Sequence, residues 1–556
     1  MFERHLKVWP AGVPRHLPLP DTSIYANLAA SAAARPDKTA IVYYGSELSY
    51  SRLQAETEAM AGYLRHLGVN KGDRVLLFMQ NSPQFIIGFY AILRADAVVV
   101  PVNPMNKTAE LDYLVKDTGA AVALVGQEVF PSLAPLVGTS GLKHAIVAAY
   151  SDYITAPTDL NLPAEVSQPR QSYDAAGIIA WADALAAGHG PGPHSAGPND
   201  LAVIPYSSGT TGNPKGCVHT HRSVMATTVA GGVWLNSDDS TVQLVTVPMF
   251  HVTGMQMCMN AGVHLGQTLI LMTRWDRNVA AELIQRHRVT SWIAISTMVV
   301  DTLANPDIGR FDLSSLKMIM GGGAAMPKAV AEKLFELTGL RYIEGYGLTE
   351  TMAPTHCNPA DRPKAQCLGI PMPDVDARVI DLDTLEELGP EQTGEIVVDA
   401  PQVFQGYWNR PEETAKAFIE LDGKRFFRTG DLGHYDEEGY FFIVDRVKRM
   451  INAAGFKVWP TEVESLMYAH PKLQEVCVIS APHPRRGETV KAVVVPRAGV
   501  QVTEAEIIAW CKDNMAAYKV PEIVEFVEQL PKSPTGKLMW RALQEQEWAK
   551  PRQQQA

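Results

Sequence analysis

Cysteine is scarce: six residues in 556, Cys217, Cys258, Cys357, Cys367, Cys477 and Cys511, with no C-x-x-C pair among them. That spacing excludes a disulfide framework and the usual zinc modules, and it predicts small buried thiols in a reducing compartment. Positive charge is also short. Lys and Arg number 49 against 60 Asp and Glu, a net charge of −11, which excludes nucleic-acid binding through a broad basic face. Long apolar runs are missing too. The richest stretch, 85–102, is broken by Arg94 and Asp96, so no membrane span is expected. The opening MFERHLKVWPAG has no apolar core of signal-peptide length, and a cytoplasmic protein is the expectation. Internal repeats are absent. At 46% hydrophobic and 20% charged residues the composition is that of a globular protein, and its length predicts two or more domains.

The most informative stretch present is YSSGTTGNPKG at 206–216. Glycines let a backbone adopt positive φ and bring its N–H groups close to an anion. Ser207, Ser208, Thr210 and Thr211 add neutral donors, and Lys215 adds a mobile cation. A Walker loop requires the lysine to follow glycine and precede Ser or Thr. Here Lys215 lies between Pro214 and Gly216, so the loop suits a polyphosphate but is not a Walker loop.

The first half alternates helix and strand signals. Leu53, Met60, Leu64 and Leu67 share a helical face ending at Gly68, and 74–79 reads as a buried strand. Ser82 and Pro83 then make an N-cap and first helical residue for a helix to about Ala95, with 98–102 a further strand. This alternation predicts an α/β fold with largely parallel sheets. The Gly/Pro-rich 186–199 is an irregular connector that delivers the chain into a strand at 201–206, ending at the phosphate loop. Short strands such as 394–398 and 440–444 mark 374–445 as β-rich. Beyond 445, a helix starting at 462, strands at 476–479 and 491–495, and a helix over 504–515 predict a compact α+β domain.

Seven stretches in order, YSSGTTGNPKG (206–216), PMFHVTG (248–254), GGGAA (321–325), EGYGLTET (344–351), RTGDL (428–432), FFIVDRVKRMI (441–451) and PKSPTGKL (531–538), cover most of the chain. In these the chain resembles the adenylate-forming superfamily of acyl-CoA synthetases, nonribosomal adenylation domains and beetle luciferases, and is most similar to fatty acid-type acyl-CoA synthetases. The resemblance implies a large N-terminal domain, 1–445, of parallel α/β subdomains plus a β-rich subdomain. It implies a small mobile α+β lid domain at 446–556. The implied reaction is ATP-dependent activation of a carboxylic acid to an acyl-adenylate and pyrophosphate, followed by transfer to coenzyme A with release of AMP.

By position in these stretches, the resemblance implies a nucleotide site from several segments. The first is Ser207, Ser208, Gly209, Thr210, Thr211, Gly212 and Lys215. Gly322, Gly323 and Ala324 follow, then Glu344, Gly345, Tyr346, Gly347 and Thr349, and finally Asp431, Ile443 and Arg446. Glu350 is the implied Mg²⁺ ligand, since one carboxylate with phosphate oxygens and waters suits that ion. Asp431 would accept bonds from the ribose hydroxyls, Tyr346 would stack on the purine, and Lys537 would be the catalytic cation between carboxylate and α-phosphate. Lys448 is the implied hinge, and Gly455, Phe456 and Lys457 would meet the acyl site and pantetheine arm. Each residue also has a plainer reading: a helix-start acid for Glu350, a turn acid for Asp431, a core aromatic for Tyr346 and a solvated basic run for 446–449. An exposed lysine is the plainer reading of Lys537.

For the acyl side, PMFH places His251 near the carboxylate or chain entrance, as a third catalytic candidate beside Lys537 and Glu350. Met255 stands where several long-chain synthetases carry tryptophan, which argues against a long-chain gate of that kind. Met255, with Met298 and Met318, suits a deformable apolar pocket, although core packing fits the last two equally. Gly321 would line the same site. No charged residue here answers a second carboxylate or an α-amino group. The expected substrate is a medium-chain or other modest apolar monocarboxylic acid, with aryl, short branched and thioether acids open. Transfer to a carrier-protein thiol is the alternative to CoA, and a non-catalytic nucleotide- or acyl-binding sensor is the alternative of a different class. Relatives are often dimers, so a homodimer stays open; no nucleic-acid partner is expected.

Overall fold

The computed structural model describes residues 2–207, 214–323, 326–453, 456–483, 487–532 and 538–550, without the side chains of Lys448, Phe456 and Lys457. The expectations for Ser208, Gly209, Thr210, Thr211, Gly212, Ala324, Gly455 and Lys537 therefore lie outside the described residues, as do the side chains of Lys448, Phe456 and Lys457. The chain divides into two compact units: Met1–Ala377 with Val398–Phe427 and Glu438–Tyr440, and Arg378–Val397 with Arg428–Glu437 and Phe441–Ala556.

In the first unit, among the described residues, one sheet has seven strands and another nine. The seven-stranded sheet runs His219–Thr220, Leu201–Val203, Val98–Pro101, Arg74–Phe78, Val122–Gly126, His144–Ala148, Ile178–Ala180, all parallel but the first. Its strands are near-continuous Val, Leu and Ile because both faces are covered, as parallel sheets require. The helix start read at Ser82 is present: its hydroxyl accepts the Phe85 N–H at 3.1 Å, with Pro83 first in the helix Pro83–Arg94. The expected strand over 201–206 is split into Leu201–Val203 and Tyr206–Ser207. Pro205, which has no N–H to give a ladder, lies in the gap.

The nine-stranded sheet has a parallel centre in the order Tyr342–Leu348, Met318–Gly322, Ser291–Ile293, Val242–Val245, Thr268–Leu271, Thr39–Tyr43, with antiparallel strands outside it. The segments 246–253 and 294–295 leave the carboxyl ends of its parallel strands Val242–Val245 and Ser291–Ile293, the end at which open α/β sheets bind ligands.

The second unit holds a mainly antiparallel sheet of Phe456–Val458, Ile451–Ala453, Gly487–Pro496 and Leu473–His483, with Ile523–Phe526 parallel on Gly487–Pro496. Both long strands exceed the sequence expectation. Alternation sorts Val476 and Val478 into a core with helices Pro460–Met467 and Glu504–Asn514. Cys477 and Ile479 face the other way, against Leu530 and the helix Trp540–Ala549, which the sequence reading did not assign. The six cysteines are free thiols, all buried. No helix among the described residues is long and apolar enough to cross a membrane.

Candidate active site

In the first unit the phosphate-loop stretch is a hairpin stem. Ser207 faces Lys215 and Tyr206 faces Gly216 in an antiparallel pair. Gly216 is required by packing: a Cβ there would lie 2.7 Å from Ile204 Cγ2. The outgoing strand is stitched to 404–408 by main-chain bonds. Val218 N donates to Gly406 O at 3.0 Å, Gln405 N to Val218 O at 2.9 Å, and Trp408 N to Gly216 O at 2.7 Å.

The turn Thr349–Thr351, which carries Glu350, is held by the same strands. Phe404 N donates to Glu350 O at 2.8 Å, and His219 Nε2 donates to Thr349 O at 2.8 Å. His219 is wholly buried, and burial depresses its pKa to about 4, so it is neutral. Tyr407 closes this assembly. Its hydroxyl donates to Glu350 Oε1 at 2.9 Å, and Lys215 Nζ lies 5.0 Å from its ring centroid. The stretch reading missed Tyr407; GYW at 406–408 carried no chemical signal of its own. Directly after the turn, Met352 and Ala353 sit at φ of 46° and 67°, left-handed backbone that costs a non-glycine residue about 1–2 kcal/mol. Such strain concentrates at functional turns.

Beside it, Gly321 and Gly322 pair with Glu344 and Gly345 across parallel strands. A Cβ at Gly321 would lie 1.9 Å from Ala294 O, and one at Gly322 2.2 Å from Gly345 O. Sheet packing alone thus demands these two glycines, whatever ligand approaches them. Gly323, at φ 83°, and Gly347, whose Cβ would meet the Ala353 carbonyl carbon at 2.5 Å, are constrained too. Glu344 is buried. Its Oε1 accepts Gln366 N at 2.9 Å and its Oε2 accepts Met326 N at 3.4 Å, joining the segment after GGGAA to the 358–369 loop. Burial outweighs these two bonds and pushes the carboxyl up to about 7. Tyr346 is also buried, with its ring 5.7 Å from that of His356.

On the expected acyl side, His251 starts a turn in which Met255 N donates to its carbonyl at 2.9 Å. The chain then winds as a π-helical segment, Gly254–Asn260, all of it buried. Such segments are rare and often functional. Gly254 permits it, since a Cβ would lie 2.3 Å from Pro248 O. Met249, Met255, Met257 and Met259 are buried, and Met298 receives a contact from the Thr246 hydroxyl at 3.4 Å. Met318 is half-buried at the start of its strand.

In the second unit Asp431 and Arg446 face one another across an antiparallel pair, with Arg446 Nε 2.8 Å from Asp431 Oδ1. Asp431 is fully buried, and Ile443 is exposed on the same pair of strands. Arg449 departs from the solvated-run reading of 446–449. Its side chain is only 10% exposed, pairs with Glu464 at 2.5 Å and lies 5.3 Å from the Trp540 ring centroid. The Glu464 carboxylate compensates the desolvation of this guanidinium.

Residues 28–408 match the family described as AMP-binding enzyme, and 462–537 match the AMP-binding enzyme C-terminal domain. The chain is 36% identical over 550 residues to a long-chain-fatty-acid–CoA ligase of Bacillus subtilis, covering 98% of both chains. It is 33% identical over 512 residues to a feruloyl-CoA synthase of an Amycolatopsis species, covering 91% of this chain and 96% of that one. Among solved structures it is similar to ATP-bound MatB from Rhodopseudomonas palustris, at 28% identity and a TM-score of 0.83, covering 95% and 99% of the two chains. A Mycobacterium tuberculosis fatty acyl CoA synthetase matches at 29% identity and a TM-score of 0.73, covering 94% and 98%. With both family regions matched in order and relatives aligned along almost the whole length, the chain belongs to the adenylate-forming AMP-binding enzymes, as an ATP-dependent, AMP-forming acyl-CoA synthetase.

Proposed function

We propose that this synthetase activates a medium-chain or similarly modest apolar monocarboxylic acid and passes it to coenzyme A. The observation that carries the substrate reading is the segment 249–259, where Met249, Met255, Met257 and Met259 are all buried and His251 is the one ionisable side chain apart from the thiol of Cys258. Methionine accommodates irregular apolar shapes, and a second charged group on the acid would find no partner in this segment. The names of the Bacillus and Amycolatopsis relatives, a long-chain fatty acid for one and a feruloyl group for the other, likewise describe acyl groups with an apolar body.

In the first step a carboxylate oxygen bonds to the α-phosphorus of ATP, the bond to the β-phosphate oxygen breaks, and pyrophosphate leaves. Two anions must meet, so the proposed roles are those of positive charge and aligned donors. Lys215 and the hydroxyls of 207–211 hold the β- and γ-phosphates, and Lys537 bridges carboxylate and α-phosphate. Asp431 accepts from the ribose hydroxyls beside Arg446. The 321–323 and 344–349 segments form the wall for adenine and acyl group, and His251 stands at the carboxylate end. In the second step the CoA sulfur bonds to the acyl carbon, AMP leaves, and the thiol proton passes to water. We assign this step to a rotation of 446–556 about Lys448 that brings Gly455, Phe456 and Lys457 to the pantetheine arm.

Glu350 would hold magnesium, which supplies charge neutralisation on the phosphates. Among the described residues no group of three His, Cys, Asp or Glu could cage a metal. A magnesium ion carried on a triphosphate needs only one or two protein carboxylates, and half-buried Glu350, oriented by the Tyr407 hydroxyl, fits that demand.

The test is a panel of straight-chain, branched, aryl and thioether acids, each offered CoA or a holo carrier protein and scored by kcat/KM. A maximum at medium chain length with CoA is expected. A long-chain maximum overturns the chain-length reading, and preference for the carrier overturns the acceptor. Lys537→Ala is expected to abolish adenylate formation while largely sparing thioester formation from supplied acyl-adenylate; equal loss of both overturns the two-conformation assignment.

A further inference from the structure

Tyr407 joins three segments distant in the chain. Its backbone belongs to 404–408, which is hydrogen-bonded to the strand leaving the phosphate loop and, through Phe404 N, to the Glu350 carbonyl. Its ring receives Lys215 Nζ at 5.0 Å, and its hydroxyl donates to Glu350 Oε1 at 2.9 Å. The ring itself is wedged edge-on against Phe404, centroids 4.8 Å apart, which fixes where the hydroxyl points.

We infer that Tyr407 is a positioning residue for adenylation: it aims the Glu350 carboxylate at the metal on the triphosphate and keeps Lys215 beside it. The inference rests on the proposed metal-ligand role of Glu350. A carboxylate ligand has several rotamers, and each misplaced one forfeits the metal contact. A phenol bonded to one oxygen selects a single rotamer and leaves the orientation of the second oxygen determined. The phenol donates to the carboxylate at 2.9 Å and is held by its own ring packing, so the tyrosine contributes orientation. Lys215 lies over the face of the same ring, where the quadrupole attracts a cation. One side chain thereby sets the spacing between the charge that meets the phosphates and the carboxylate that meets their metal.

The experiment measures Mn²⁺ binding by electron paramagnetic resonance in the presence of α,β-methylene-ATP, so that no turnover is needed. Alongside it, KM for the acid and kcat for pyrophosphate release are measured. The variants are Glu350→Gln, Tyr407→Phe, their combination, and Tyr407→4-aminophenylalanine, which restores a donor at the ring's para position. Tyr407→Phe is expected to raise the half-saturating Mn²⁺ concentration about tenfold, the usual scale for a lost hydrogen bond to a charged group. The KM for the acid should stay within twofold. The double variant should be no weaker than Glu350→Gln alone, and 4-aminophenylalanine should recover binding to within about threefold of the parent. If Glu350→Gln weakens Mn²⁺ binding but Tyr407→Phe does not, the inference is overturned and the Glu350 reading survives. If Glu350→Gln leaves Mn²⁺ binding unchanged, the Glu350 reading falls and the inference with it. Additive losses, or no recovery with 4-aminophenylalanine, also overturn it.

Discussion

Arg446 Nε lies 2.8 Å from Oδ1 of Asp431, joining a fully buried carboxylate to a guanidinium whose side chain is 45% exposed. The carboxylate is placed by its own strand. Asp431 N donates to Thr429 Oγ1 at 3.1 Å, and that hydroxyl donates to Ile396 O at 2.6 Å. One residue earlier Gly430, at φ 69°, gives its N–H to Glu395 Oε1 at 3.1 Å, and Glu395 also pairs with Arg428. RTGDL is thus a braced segment of the strand Lys424–Tyr435, not the turn its plainer reading expected, and its acid is held buried while its cationic partner reaches water. A carboxylate so placed can trade part of its compensation for ligand hydroxyls.

Replacing Arg446 by methionine keeps an apolar stem and removes the charge. The fold is expected to lose about 1–3 kcal/mol, below the full cost of breaking a buried pair because the guanidinium is half in water. AMP should raise the thermal midpoint of this variant more than 2′,3′-dideoxy-AMP does, since only AMP offers hydroxyls to Asp431. Equal shifts from the two nucleotides in thermal melts would remove the ribose role.

Local chemistry made parts of the fold legible. Ser82 and Pro83 announced a helix because cap and first residue act within three positions, and 74–79 announced a buried strand, observed over Arg74–Phe78, because every residue is apolar or aliphatic-stemmed. Pro205 could have been read as a strand break by the same logic. The site was legible as stretches rather than as geometry. Tyr407 acts through Glu350, 57 residues away, and Lys215, far earlier still, so no window of sequence contains its role. Arg449 read as one of a solvated cluster because its compensating Glu464 lies on the next helix, 15 residues on. The glycines of 321–322 were read for ligand approach, whereas the carbonyls that exclude a Cβ are those of Ala294, just past the strand Ser291–Ile293, and Gly345, within Tyr342–Leu348.

Gly321→Ala and Gly322→Ala should therefore fail by folding before they fail by binding. A methyl 1.9 Å or 2.2 Å from a main-chain oxygen can be relieved only by parting sheet strands. Losses of about 3 kcal/mol or more are expected, at or above the upper end for overpacking. Chemical denaturation without ligand is the check. A variant with parental stability and weakened nucleotide binding would contradict this ranking.

Glu344 predicts a pH dependence whose sign follows from burial. Its carboxyl is pushed up to about 7 in the fold, from an ordinary 4.5. Between those values the unfolded chain releases a proton that the folded chain keeps, so this group's contribution to stability falls as pH rises from about 4.5 to about 7 and is flat above. A displacement of this size corresponds to roughly 3 kcal/mol. Glu344→Gln should flatten the urea midpoint across that window relative to the parent, and infrared spectra of the parent near pH 6 should show a protonated carboxyl band that the variant lacks. Parallel pH profiles for the two proteins would mean that Glu344 keeps its ordinary pKa in the fold.

Met255 separates pocket from core. It is fully buried in the π-helical segment, so Met255→Ala should cost about 2–5 kcal/mol as any core truncation does. A loss of that kind lowers every acid's turnover alike once the folded fraction is corrected. If Met255 also lines the acyl site, the vacated volume admits bulk beside the carboxyl end, and kcat/KM for branched and aryl acids should rise at least threefold relative to a straight chain of equal carbon number. The ratio of the two, measured on folded enzyme at a temperature well below the variant's midpoint, isolates specificity from stability. An unchanged ratio would assign Met255 to packing and move the pocket wall elsewhere along 246–259, with Thr246, already in contact with Met298, the next residue to truncate.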